Sequence, residues 1–258
     1  PDPSTPKNLE ALISTVKSSG ADLGIAFDGD SDRIGVIDEK GTVLWGDQLM
    51  VLFSRDILQS RPGATFVSEV NCSQTMYDDI RSHGGNAIMW KTGHSLIKAK
   101  MKETGAALAG EMSGHIFFAD RYFGYDDAIY AACRVVELLK KTRTQTRPRE
   151  PLSSLMADLP KTFNTPEIRF DCPDALKFKV VDRVRELYAH PEKIALSVRE
   201  VITVDGIRAV FQNGWGLILS SNTQPVLVMR FEAVDQASLQ SIRSLMEDQV
   251  RTTIADLN

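Results

Sequence analysis

The stretch Ala21–Asp38, ADLGIAFDGDSDRIGVID, determines how this chain is interpreted. Its apolar run Leu23–Phe27 has the length and flanks of a buried strand, and a second run, Ile34–Ile37, follows a short polar loop. The loop contains the flexible Gly29 and carboxylates at alternate positions, Asp28, Asp30 and Asp32. A solvated acidic turn is the alternative, but two flanking strands would fix this loop at a strand end. Because clustered carboxylate oxygens suit Mg²⁺, the stretch predicts a metal site.

Two other templates for an acidic loop do not fit these residues. Counted from Asp28, Glu39 falls where a calcium-binding EF-hand has its bidentate Glu, but Arg33 occupies the position that needs Gly. The flanks also resemble strands rather than helices. The D-x-D loop of haloacid-dehalogenase-like phosphatases usually has Thr or Val where this chain has Asp32. A third carboxylate favours a metal cage over a nucleophile with an acid partner.

Composition narrows the class of protein. The chain has 258 residues, of which 43% are hydrophobic and 25% charged, so it can form two modest domains. A net charge of −4 argues against nucleic acid or an anionic membrane as the main partner. No apolar run approaches the roughly 20 residues that span a bilayer. The odd, widely spaced cysteines predict reduced thiols and a cytoplasmic protein; they are Cys72, Cys133 and Cys172.

The order of elements predicts an α/β chain with a small α+β domain at its end. Residues 1–42 hold a helix, Pro6–Ser19, and the two strands around the metal loop, and are too few to form a core alone. We interpret them as the tail of a domain whose start is missing. Residues 43–150 alternate helix and strand, which predicts a mixed, mostly parallel sheet flanked by helices. The basic segment 140–150, KKTRTQTRPRE, is predicted to be a solvated linker. Residues 151–258 have adjacent strands with helices at the ends, which predicts an antiparallel sheet.

Two loops are predicted at the carboxyl ends of the parallel strands, where ligands of such sheets bind. They are 91–94, KTGH, and 110–115, GEMSGH. A lone His or Glu in a loop is usually a cap or a turn residue, but two such loops at one sheet edge predict a polar ligand. A third loop, 220–225, SSNTQP, is either a simple hairpin turn or a phosphate cradle, and its spacing leaves both readings open.

Together these loops resemble the α-D-phosphohexomutases, particularly the bacterial phosphomannomutase/phosphoglucomutase branch. The resemblance rests on the metal loop DGDSDR (28–33), on KTGHSLIK (91–98), on GEMSGH (110–115) and on SNTQP (221–225). It implies that residues 1–42 end domain 2 of a four-domain protein, that 43–150 are domain 3, and that 151–258 are domain 4. The phosphoserine of that family lies in a T-A-S-H-N-P motif that this sequence lacks, so the chain is not expected to turn over by itself.

The resemblance also implies a reaction. The parent enzyme would interconvert hexose 1-phosphates and 6-phosphates of mannose or glucose through a 1,6-bisphosphate, with glucose 1,6-bisphosphate as activator. The implied partners are these hexose phosphates and the missing N-terminal domains, with no nucleic acid or membrane.

The family roles transfer to this chain residue by residue. Mg²⁺ would be held by Asp28, Asp30 and Asp32. Arg33 would contact the transferring phosphate or the reacting oxygen. His94 and His115 would face the reacting hydroxyl, with His94 as the better candidate for acid–base help. The implied substrate-binding residues are Gly93, Glu111 and Ser113 for the sugar, and Ser221, Asn222 and Thr223 for the phosphate that is not transferred.

Two positions depart from the family pattern. Asn71 stands where family members usually have Lys, and Leu219 where they usually have Arg. Arg grips phosphate through a bidentate charged pair that Leu cannot supply. We therefore hypothesise a mutase with weakened or altered phosphate recognition. The alternatives are a non-catalytic sugar-phosphate-binding protein and a D-x-D phosphatase, which would form a phosphoaspartate at Asp28.

Overall fold

The first elements of the chain surround the predicted metal loop. A computed structural model describes residues 2–142, 150–221 and 224–257. Helix α1 (Pro6–Ser19) ends where Gly20 adopts a left-handed conformation, with φ of 65°. Strands β1 (Leu23–Phe27), β2 (Ile34–Asp38) and β3 (Val43–Leu44) follow and pair antiparallel in the order β1-β2-β3. The metal loop is therefore the connection between two directly paired strands.

The second sheet is mostly parallel, as the alternation of elements predicts. Strands β4 (Thr65–Glu69), β5 (Asn86–Trp90), β6 (Leu108–Gly110) and β7 (Ile116–Phe118) lie in the order β5-β4-β6-β7. Strand β4 runs parallel to β5 and β6, and β7 is antiparallel to β6. The helices around it are α2 (Gly46–Ser60), α3 (Gln74–Ser82), α4 (His94–Thr104) and α5 (Ala128–Thr142).

Alternating side chains of β4 cover the two faces of this sheet. Phe66 belongs to a core that also contains Leu49 and Phe53 of α2. Its neighbour Val67 packs on the other face with Ile97 and Met101 of α4. The sheet is thus covered on both sides, which is typical of a parallel sheet.

The first compact unit, Pro1–Leu159, extends beyond the predicted border at residue 150. A short 3₁₀ helix, Leu152–Met156, buries Leu152 in the core of this unit. Arg55 on α2 donates to the carbonyl of Leu155 at 3.1 Å and to Asp158 at 2.9 and 3.0 Å. These contacts hold the segment after residue 150 on the first unit. Most of the predicted linker, residues 143–149, lies outside the described residues.

The second unit, Pro160–Asn258, is the predicted α+β domain. Its strands are β8 (Phe163–Asn164), β9 (Ile168–Asp171), β10 (Val198–Ile202), β11 (Ile207–Phe211), β12 (Gly214–Ser220) and β13 (Val226–Ala233). All pairings are antiparallel, in the order β10-β11-β12-β13-β8, and β9 also pairs with β13. Helices α6 (Asp174–Tyr188) and α7 (Gln236–Leu257) pack on one face, and a 3₁₀ turn spans Pro191–Lys193. Among the described residues of the chain, no helix is long and apolar enough to cross a membrane.

Candidate functional site

The metal loop brings its three carboxylates together. One oxygen from each of Asp28, Asp30 and Asp32 lies within 4.8 Å of the others. Asp28 is buried, Asp32 is half-buried and Asp30 is exposed. The Oδ1 atom of Asp32 is buried and has no hydrogen-bond partner in the part of the chain that the structure describes. A cation would satisfy this atom, and an all-carboxylate donor set suits Mg²⁺.

Arg33 fixes the orientation of Asp28. Its Nε donates to Oδ2 of Asp28 at 2.7 Å, and its backbone N–H donates to Oδ1 at 3.1 Å. Burial raises the pKa of Asp28, but these hydrogen bonds outweigh burial and bring that pKa below its usual value. For Asp32, burial and the nearby carboxylate of Asp28 raise the pKa, although His115 opposes the rise. A second nitrogen of Arg33 lies 2.9 Å from Asp2.

The loops 91–94 and 110–115 meet at the carboxyl end of the second sheet, as predicted. The backbone N–H of Gly93 donates to Oε1 of Glu111 at 2.7 Å. Gly93 has φ of 127°, a conformation that favours glycine. Burial and the charge of Glu69 raise the pKa of Glu111 to about 7. Ser113 lies in the same loop and is half-buried.

The sequence reasoning missed Glu69, a buried carboxylate at the end of β4. Its Oε1 accepts the backbone N–H of Met112 at 3.2 Å, and its Oε2 accepts the hydroxyl of Thr92 at 2.8 Å. Oε2 also accepts the side-chain amide of Asn71. Glu69 therefore contacts both loops, 91–94 and 110–115. The rule that placed the loops at the strand ends would also have found Glu69, because β4 lies between β5 and β6.

Asp126 is the second residue that the sequence reasoning missed. Its Oδ2 lies 3.2 Å from Nδ1 of His115 and 3.5 Å from Nδ1 of His94. Its Oδ1 accepts Nζ of Lys98 at 3.0 Å. The two imidazoles are stacked, with ring centroids 5.5 Å apart and planes 17° apart. Burial lowers the pKa of His115, and the carboxylates of Asp32 and Asp126 oppose that effect.

The metal loop and the loop 110–115 are joined through their backbones. Arg33 and His115 form an isolated antiparallel β-bridge, and the N–H of Ile34 donates to the carbonyl of Gly114 at 3.1 Å. Nδ1 of His115 lies 3.6 Å from Oδ2 of Asp32. The structure therefore gathers the predicted metal ligands, Arg33, His94, His115, Gly93 and the loop of Glu111 and Ser113 in one region of the first unit.

The third predicted loop connects β12 and β13 in the second unit. The hydroxyl oxygen of Ser221 accepts the backbone N–H of Gln224 at 3.1 Å, and the N–H of Ser221 donates to Val226 at 3.0 Å. Asn222 and Thr223, two of the predicted phosphate ligands, lie outside the described residues. Leu219 is buried on β12, opposite Val228.

Comparisons with known proteins agree on one family. Its models match over three ranges: alpha/beta/alpha domain II of phosphoglucomutase/phosphomannomutase over residues 1–41, alpha/beta/alpha domain III over 45–163, and the C-terminal domain over 167–249. A phosphomannomutase/phosphoglucomutase of Pseudomonas putida is 46% identical over 97% of this chain. That match covers 51% of the relative, so the chain spans about half of its length.

Solved structures have the same fold. The crystal structure of a phosphoglucomutase/phosphomannomutase family protein from Burkholderia thailandensis is 40% identical, with a TM-score of 0.87 over 98% of this chain and 51% of that one. An N-acetylphosphoglucosamine mutase of Aspergillus fumigatus, in complex with GlcNAc-6P and magnesium, has a TM-score of 0.61. At 14% identity over 89% of this chain and 48% of that one, it supports the fold alone.

Proposed function

Because this chain belongs to the phosphoglucomutase/phosphomannomutase family, we propose that it carries the metal, sugar and distal-phosphate sites of a phosphohexomutase. The parent enzyme interconverts the 1-phosphate and 6-phosphate of mannose or glucose through a 1,6-bisphosphate. The observation that carries this proposal is the backbone junction at Arg33 and His115, between the metal loop (28–33) and the loop 110–115, here called the sugar loop. A metal-activated transfer to a sugar hydroxyl needs these two sites side by side.

The metal ligands of the proposed enzyme are Asp28, Asp30 and Asp32. A Mg²⁺ ion bound there would stabilise the negative charge on the transferring phosphoryl group. The buried orphan oxygen of Asp32 supports this assignment. Arg33 holds the carboxylate of Asp28 in place through two hydrogen bonds, and its guanidinium provides positive charge toward the transferring phosphate.

The sugar site uses Glu111, Ser113 and Gly93. Glu111 accepts the N–H of Gly93 with one oxygen, and the Ser113 side chain also hydrogen-bonds to this carboxylate, so the two side chains would bind sugar hydroxyls as a pair. His94 and His115 hold or move the proton of the reacting hydroxyl, and Asp126 orients both imidazoles. The side chain of His94 is 54% accessible and that of His115 is 13% accessible, so His94 is our candidate acid–base group.

The rest of the parent protein supplies what this chain does not contain. A phosphoserine from the N-terminal part of the same protein would donate the phosphoryl group, with glucose 1,6-bisphosphate as activator. Ser221, with Asn222 and Thr223, would anchor the phosphate that is not transferred. The three cysteines are not in disulfides, which fits a reaction in the cytoplasm.

A coupled mutase assay on the product of the whole gene tests this function. Glucose 1-phosphate and mannose 1-phosphate are run side by side with Mg²⁺ and a trace of glucose 1,6-bisphosphate. We expect turnover of at least one sugar, lost on addition of EDTA and in Asp30→Ala. Binding of both sugar phosphates without any turnover would overturn the mutase and favour the non-catalytic binding protein.

A further inference from the structure

We propose that Glu69 is a positioning residue of the sugar site: it sets the spacing between the loops 91–94 and 110–115, and its buried carboxylate acts on Glu111, which bridges the same two loops. The role assigned to Glu111 rests on the proposed function. The contacts of Glu69 do not, because they are made within the chain.

Two buried carboxylates, Glu69 and Glu111, connect the loops 91–94 and 110–115 through hydrogen bonds. Glu69 projects from β4 and accepts hydrogen bonds from Thr92 in one loop and from Met112 in the other. Glu111 projects from the second loop and accepts a hydrogen bond from Gly93 in the first. The spacing of the loops is therefore fixed by three hydrogen bonds to ionisable acceptors.

Glu69 also changes the charge state of Glu111. Both carboxylates are buried, with 3% and 4% of their surface exposed. The groups that face Glu111 are Glu69 from β4, Asp126 before α5, the Gly93 amide before α4 and Ser113 in its own loop. Burial, followed by the charge of Glu69, raises the pKa of Glu111, and the Gly93 and Ser113 hydrogen bonds only partly oppose this.

This charge state has a chemical consequence for sugar recognition. A carboxylate only accepts hydrogen bonds, whereas a carboxylic acid also donates one. Near neutral pH, Glu111 is present in both forms, and so it can match a sugar hydroxyl that acts either as donor or as acceptor. This property suits a site that must hold a hexose phosphate in two orientations.

The test uses the labelled 258-residue chain and NMR readouts that need no sugar. The first readout is the titration of the Glu111 side-chain carboxyl, and the second is hydrogen exchange of the Met112 and Gly93 amides. In Glu69→Gln, which removes the charge but keeps the shape, we expect the Glu111 midpoint to fall by about one pH unit. Glu69→Asp keeps the charge but shortens the side chain. In this variant we expect the Glu111 midpoint to stay above the ordinary value for Glu, and the Met112 amide to exchange at least tenfold faster than in wild type.

Matched variants separate charge from bracing. Thr92→Val removes one hydrogen bond to Glu69 and should leave the Glu111 midpoint unchanged. Glu103→Gln, an exposed carboxylate on α4, should change neither readout. An unchanged Glu111 midpoint in Glu69→Gln, or unchanged Met112 exchange in Glu69→Asp, would overturn the proposal. If Glu69→Gln does not fold, a fallen Glu111 midpoint in Glu69→Asp would contradict the charge effect; if Glu69→Asp does not fold, unchanged Met112 exchange in Glu69→Gln would contradict the bracing.

Binding of glucose 6-phosphate to the same chain, measured as a function of pH, tests the effect of Glu69 on sugar-phosphate recognition. We expect Glu69→Gln to weaken binding about tenfold at pH 7 and to shift its pH dependence toward acid, since loss of one charged hydrogen bond has this size. Purely structural damage would weaken binding equally at every pH, and that result would count against the proposal. If the wild-type chain bound no sugar phosphate, the proposed sugar site would fail, while the two sugar-free readouts would still decide the role of Glu69.

Discussion

Arg33 and His115 face each other across an isolated antiparallel β-bridge, which makes the metal loop and the sugar loop one backbone unit. Such a bridge fixes the distance between the two loops without relying on side-chain rotamers. The proposed cation ligands and the proposed sugar-binding groups are thereby held in register by the backbone itself. Preorganisation of this kind lowers the cost of aligning two reacting groups.

Gly114 should be essential to this junction. Its φ of 98° favours glycine, and a Cβ there would lie 2.5 Å from the carbonyl oxygen of Ile34. Gly114→Ala should therefore break the bridge and weaken glucose 6-phosphate binding at least tenfold. Gly105 provides a matched control because it has φ of 63° but no atom of the described residues within 4 Å of its Cβ position. Gly105→Ala should cost only about 1 kcal/mol of conformational strain and preserve binding. Equal binding by both variants would contradict the role of the bridge.

In the metal loop, substitutions of Asp28 and Asp30 should have different effects. Asp30 is exposed, so Asp30→Asn should weaken Mg²⁺ binding at least tenfold and leave the free energy of unfolding in EDTA within about 0.5 kcal/mol of wild type. Asp28 is buried and bonded to Arg33, so Asp28→Asn should weaken both Mg²⁺ binding and the apo fold. Calorimetric Mg²⁺ titration and urea unfolding in EDTA measure the two effects. Wild-type Mg²⁺ affinity in Asp30→Asn would exclude Asp30 as a ligand.

Much of the fold could be predicted because its elements have clear periodicity and clear stops. The bounds of α1 and β1 are the predicted ones. Gly20 ends α1 and Gly105 ends α4, both in the left-handed conformation that only glycine adopts easily. Two-residue strands such as Val43–Leu44 and Phe163–Asn164 have too little pattern to be found, since they exist only through their pairing partners.

Helix starts show where local reasoning fails. Periodicity alone predicts helices that start at Cys72 and Asp126, whereas α3 begins at Gln74 and α5 at Ala128. Ser73 caps the first helix by accepting the N–H of Thr75 at 3.1 Å. Asp126 pairs with Phe117 in an isolated bridge instead of entering the second helix. The contacts of Asp126 with two histidines and a lysine could not be predicted either, because periodicity describes only neighbours along the chain and these partners come from other elements.

Asp126 should control the protonation of His115. Its carboxylate stabilises the imidazolium form, so Asp126→Asn should lower the pKa of His115 further below its usual value. Less imidazolium would then be present at any given acidic pH. Asp127→Asn is the adjacent control, because Asp127 accepts hydrogen bonds from Tyr122 and the Tyr130 amide instead. Imidazole NMR titration of the metal-free chain measures both. A His115 titration unchanged in Asp126→Asn would show that Asp126 does not act on this ring.

Leu219 provides the test of the altered phosphate loop. It lies two residues before Ser221, on the same face of the second sheet as Leu217, which pairs with Arg208 and Arg230. If the leucine weakens recognition of the distal phosphate, Leu219→Arg in the whole gene product should lower KM for glucose 1-phosphate. A charge-assisted contact of about 1.5–3 kcal/mol corresponds to a change of roughly ten- to hundred-fold. Leu219→Met keeps the volume without the charge and should leave KM unchanged.

Leu219 is buried, so the introduced guanidinium must find an anion or reach solvent. Urea unfolding with and without glucose 1,6-bisphosphate separates these outcomes. If the arginine contacts phosphate, the ligand should stabilise Leu219→Arg more than it stabilises wild type, because tighter binding to the folded state raises its stability. If KM stays unchanged and the ligand stabilises both proteins equally, the existing arginines of this face already satisfy the phosphate, and the leucine is a neutral replacement.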